Sequence, residues 1–64
     1  MSTKISLKAA RVNAELSQEA AAKRLKVAKQ TLSNWETGRT KIDAETFLEL
    51  CRIYNVQPSD IFLP

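Results

Sequence analysis

Apolar residues recur along the chain at helical rather than alternating spacing. Leu7, Ala10 and Ala14 stand at i, i+3 and i+7 with Lys8 and Arg11 beside them, the narrow stripe of an amphipathic helix that ends across Asn13 to Glu15. Ser17 can then cap a second short helix with Ala21, Ala22 and Leu25 on one face, whose small alanines let another helix approach closely. After the break Lys26, Val27 and Ala28, a third helix puts Leu32 and Trp35 on one side and stops at Gly38. Asp43 caps a fourth, with Phe47, Leu50, Cys51 and Tyr54 as its core stripe and Asn55 as a left-handed stop. Pro58 opens a brief fifth helix, Pro58 to Phe62, that turns Ile61 inward. The expected fold is all-α, five short helices in a single domain over residues 1–64.

Composition narrows the picture. One Gly, two Pro and a first half rich in Ala, Leu, Lys, Gln and Glu favour helix throughout. A chain of 64 residues buries only about 60% of its unfolded surface, so the core must come from a few tightly packed elements. Cys51 has no second cysteine and no His to join it, which excludes an internal disulfide and a zinc cage. On the fourth-helix stripe it reads as a small apolar group rather than a nucleophile. No run nears the roughly 18 apolar residues of a membrane span, and Met1 to Lys8 lacks a secretory core, so no membrane role is expected and the chain reads as cytoplasmic.

The charge is uneven. Residues 1–41 carry nine basic against three acidic groups, a net +6, while residues 42–64 carry one against four, a net −3. Such polarity suits a polyanion on one side; the plain alternative is solvated charge.

Ser17 to Gly38 combines two short helices, a three-residue turn and polar side chains at the start of the second helix, the organisation of a helix-turn-helix. The run Leu16-Ser17-Gln18-Glu19, followed by Ala22, Leu25, Val27, Leu32, Trp35-Glu36 and Gly38, resembles the lambda-repressor and Cro type of DNA-binding domain, also called the xenobiotic-response-element-like family. The resemblance continues through Phe47, Leu50 and Asn55 to Phe62 and so covers essentially the whole chain. It implies a compact lambda-repressor-like DNA-binding domain whose third helix enters the major groove. Two positions depart from the pattern: Lys26 stands where the turn usually has Gly, and Ala28 where Ser or Thr would cap.

Groove geometry, guided by that resemblance, assigns the contacts. Lys29, Gln30 and Asn34 share the side of the third helix opposite Leu32 and Trp35 and are the candidate base readers, with Ser33 in second rank. Gln18, Thr31, Thr37, Arg39, Thr40 and Lys41 are candidate phosphate contacts, Lys41 foremost. Lys4, Lys8, Lys23 and Arg24 read as ordinary solvated charge. Trp35 could offer a stacking surface, but its alignment with Leu32 makes it the expected hydrophobic centre. The resemblance further implies an ion pair between Arg11 and Glu36, tying the first helix to the end of the reading helix.

One reading helix covers few base pairs, so a homodimer is expected, with Leu48, Ile53, Phe62 and Leu63 as the candidate patch; packing within the monomer is the alternative. The implied function is sequence-specific regulation of transcription on a double-stranded DNA operator, with repression implied by resemblance alone. The rival is a protein-interaction module, an antitoxin or anti-repressor, on the same fold. No enzyme is expected, because His, a metal cluster and a paired buried carboxylate are lacking from the pattern; no cofactor, metal or small-molecule ligand is expected either.

Overall fold

The computed structural model describes residues 3–64, so the first two residues of the expected 1–64 domain lie outside the described residues. Helices run over Leu7–Asn13 (α1), Gln18–Leu25 (α2), Lys29–Thr37 (α3) and Ala44–Tyr54 (α4), and a 3-10 turn spans Pro58–Asp60. Each boundary has a local cause. Ser6, Ser17 and Asp43 accept a backbone N–H of the first turn of α1, α2 and α4, through Ala9, Ala20 and Thr46. Ala28 stands in that place for α3 and supplies no side-chain cap. At the other ends, Lys26, Gly38 and Asn55 adopt the left-handed conformation, with φ of 62°, 81° and 58°. At Gly38 an added Cβ would come 3.0 Å from Cβ of Pro64, so a side chain there would have to push Pro64 aside as well as hold a strained backbone.

α2 packs on α3 and α4, and α1 on α4. Leu7, Leu32 and Leu50, one from each of α1, α3 and α4, fill the centre with the alanines of α2 against them. Ala21 and Ala22 are buried to within 2%, as expected for a helix that approaches its neighbours closely.

Three expectations need correction. Trp35 is half-buried at the rim and is not the centre; the leucines hold that place. Ile53, assigned above to a dimer patch, is half-buried against the core cluster. The fifth helix is one 3-10 turn rather than a helix over Pro58 to Phe62. Its backbone groups go elsewhere: the Ile5 amide donates to the Asp60 carbonyl at 2.9 Å and the Phe62 amide to the Ile5 carbonyl at 3.0 Å. Ile61 is thereby drawn into an extended, parallel bridge with Ile5, and it is buried as expected.

Candidate nucleic-acid interface

The α2–α3 turn is built from three residues. The Val27 amide donates to the Ala22 carbonyl at 3.0 Å while Lys26 takes the left-handed turn that glycine adopts without penalty, so the bend survives the substitution at roughly 1 kcal/mol of backbone strain. Val27 packs against the core and fixes where α3 begins. α3 is then held from its inner face by buried Leu32 and, one turn on, by Glu36.

Glu36 is the hub of a buried polar cluster. Arg11 Nε donates to its Oε2 at 2.8 Å, and the side chains of the pair are only 9% and 3% exposed. Gln18 Nε2 donates to Oε1 at 2.9 Å, and Arg11 reaches the Leu16 carbonyl at 2.9 Å. One carboxylate and one guanidinium therefore join α1, the α1–α2 turn, the start of α2 and the end of α3. The ion pair came from family resemblance; the Gln18 and Leu16 partners were not foreseen, and no sequence spacing announces them. Tyr54 lies within the field of this cluster. Its phenol is pushed up to about 12, by burial first and by the negative Glu36 second, with Arg11 opposing, and its Oη has no hydrogen-bond partner among the described residues.

The outward side of α3 carries the candidate readers. Lys29 and Gln30 are exposed, Ser33 and Asn34 half-buried, and Gln30 Nε2 donates to Asn34 Oδ1 at 3.0 Å. Gln30, Ser33, Asn34, Thr37 and Arg39 line one open depression that continues from α3 past Gly38. Lys29 stands apart, toward α2, beside Glu19, Lys23 and Val27. Thr31 is half-buried and lines none of these depressions. Arg39, Thr40 and Lys41 are exposed in the following loop, which is fastened by the Arg39 and Thr40 amides donating to the Asn34 carbonyl at 2.9 and 3.3 Å. Thr37 already donates its hydroxyl hydrogen to the Ser33 carbonyl at 3.0 Å, so toward a phosphate it has only acceptor capacity unless that bond is given up. Gln18 is half-buried with one amide hydrogen committed to Glu36, which leaves its second for a phosphate.

A helix-turn-helix family model matches residues 7–61, from the first residue of α1 to the buried Ile61. The chain belongs to the helix-turn-helix family of the lambda-repressor and Cro type. No curated protein and no solved structure gives a significant match to it. A helix-turn-helix protein of this type is a DNA-binding regulator, and the geometry above is that of its binding element: a short helix clamped on one side and polar on the other. Among the described residues of this helix-turn-helix domain no three His, Cys, Asp or Glu lie close enough to hold a metal, and no helix is long and apolar enough to cross a membrane.

Proposed function

We propose that this helix-turn-helix domain is a sequence-specific transcriptional repressor that binds a double-stranded DNA operator as a homodimer, with α3 in the major groove. The observation that carries the reading is the division of α3. Leu32 and Glu36 lock its inner face to the core, while Lys29, Gln30, Ser33 and Asn34 face outward with the donors and acceptors that base edges require. Arg39, Thr40 and Lys41, exposed in the loop after α3, together with half-buried Gln18 and Thr31, are the side chains offered to the sugar-phosphate backbone in this reading. The net +6 over residues 1–41 favours the same partner.

Two copies on half-sites about 34 Å apart give useful affinity where one reading helix does not. Leu48, Phe62 and Leu63 are between 45% and 49% exposed and supply the apolar surface for pairing; half-buried Ile53 contributes at most its edge. Repression follows from occupancy, since a bound dimer excludes polymerase from the operator, and the site of action is the nucleoid in the cytoplasm.

Selection of bound duplexes from a random pool, with the footprint recorded, tests this reading. The expected product is a two-fold symmetric site with half-sites one helical turn apart. A pool that emerges without enrichment would sink it and favour a protein partner on the same fold, as in an antitoxin or anti-repressor.

A further inference from the structure

Two outward helix faces carry apolar side chains that the folding of one chain leaves uncovered. On α1, Lys8 and Val12 stand one turn apart and exposed, and exposed Glu15 follows in the turn just beyond the helix. Val12, at 55%, is the most exposed large apolar side chain among the described residues. On α4, Glu45, Leu48, Glu49 and Arg52 recur at i, i+3, i+4 and i+7, and all are exposed, Leu48 at 49%. From Lys8 to Glu15 and from Glu45 to Arg52 the separation is the same, with an apolar side chain between the charges. The charges run in opposite order: positive, apolar, negative along α1, and negative, apolar, positive along α4.

We propose that Val12 of one copy packs on Leu48 of a second copy, with α1 laid parallel to the partner's α4. In that register Lys8 meets Glu45, Glu15 meets Arg52, and Glu49 falls opposite Asn13, whose amide can donate to it. The reversed register sets Lys8 against Arg52 and Glu15 against Glu45, like on like, so charge selects one direction. Arg52 is free to turn toward a partner, because it approaches Glu49 of its own chain only to 3.8 Å and is largely exposed. α1 packs on α4 within each copy, so both faces of one copy are near enough for a two-fold axis to form the contact twice. One valine on one leucine is a weak contact; doubling it, and holding both copies on neighbouring half-sites, makes it effective. The proposal rests on the homodimer reading, and adds which side chain Leu48 meets and how the two copies are oriented.

The test uses the full chain with the single variants Lys8→Glu and Glu45→Lys, their equimolar mixture, and Val12→Ser, Leu48→Ser and the double serine variant. Association is read by sedimentation of the free chain over a range of concentration. On DNA it is read as affinity for the selected duplex with two half-sites relative to a duplex with one, a ratio in which uniform effects of charge cancel. Each charge variant alone sets like charges together twice and should weaken association about 10-fold. The mixture should recover it to within about threefold, because the reversed pair meets in one contact of the mixed dimer and the original pair in the other. Each serine variant should weaken association about fivefold, and the double variant little more than the weaker single one, because the two side chains cover each other.

Charge variants that pair as the unsubstituted chain does would overturn the contact and leave the homodimer standing. Single variants that weaken pairing with no recovery in the mixture would overturn it too, since the two faces would then not meet. No association in solution or across two half-sites would overturn both this contact and the homodimer. Lys8, Val12, Glu45 and Leu48 are all exposed, so thermal unfolding should be nearly unchanged in the variants and separates these outcomes from loss of fold.

Discussion

Among the described residues are two arginine–glutamate pairs of opposite character. Arg11 and Glu36 meet at 2.8 Å with their side chains at 9% and 3% exposure, joined by Gln18 and the Leu16 carbonyl. Arg52 and Glu49 approach only to 3.8 Å on the outer side of α4, at 81% and 52% exposure, and neither links α4 to another element. The chemistry is the same; the dielectric and the number of hydrogen bonds differ. In water the attraction is offset by screening and by the entropy of two long side chains. In the cluster each charge depends on the other, because removal of one leaves its partner buried and unpaired. The buried pair thus fixes α3 relative to α1 and α2, and the exposed pair fixes nothing.

Breaking the buried pair should give the largest effect. Arg11→Ala should cost about 3–5 kcal/mol in thermal or urea unfolding, because Glu36 and the Leu16 carbonyl lose their partner together. A loss below about 1 kcal/mol would mean that water reaches the pair. Tyr54→Phe sharpens the contrast from the opposite direction. It removes a buried hydroxyl without a hydrogen-bond partner among the described residues, so stability should hold or rise by up to about 1 kcal/mol. The same variant carries a pH signature. The phenol of the unfolded chain loses its proton near its ordinary value of 10, while that of the folded chain is held to about 12. Between these values the unfolded state binds fewer protons, so stability falls as pH rises through that window. Tyr54→Phe should flatten the fall relative to the unsubstituted protein, as read from urea unfolding at pH 9 and 11. The smallest effect belongs to the exposed pair: Arg52→Ala should change stability by less than about 0.5 kcal/mol, and added salt should erase what there is.

Features set by near neighbours were legible in the sequence. Ser17 and Asp43 cap as read, and Gly38 and Asn55 take the left-handed ends expected of them, because each depends on a few bonds within one turn; whether Lys26 would keep the left-handed turn of a glycine was open until the structure showed that it does. The i, i+4 spacing of Gln30 and Asn34 likewise placed them on one side of α3, although the hydrogen bond between them needed coordinates. Failures came where the outcome depended on distant chain. Pro58 starts a helical turn as proline should, but Ile5 returns to take the backbone groups that would have continued it. Trp35 shares a face with Leu32, yet the centre is closed by Leu7 and Leu50 arriving from α1 and α4, which leaves the larger ring at the rim. Exposed Val12 and the cap at Ser6 also escaped a reading based on stripes. At the candidate interface, spacing identified which side of α3 is polar; it could not reveal that Glu36 also grips Gln18, since that contact crosses between helices.

The most direct test of a reading helix with its inner face clamped and its outer side free is the binding of Gln30→Ala and Lys41→Ala. Both are compared with the unsubstituted chain on the selected operator and on its single-base-pair variants, across a range of salt. The account predicts that Gln30→Ala relaxes preference at one base pair per half-site, whereas Lys41→Ala weakens every duplex alike and lowers the slope of log affinity against log salt by about 0.9. Uniform weakening by both variants, with all base preferences intact, would contradict it.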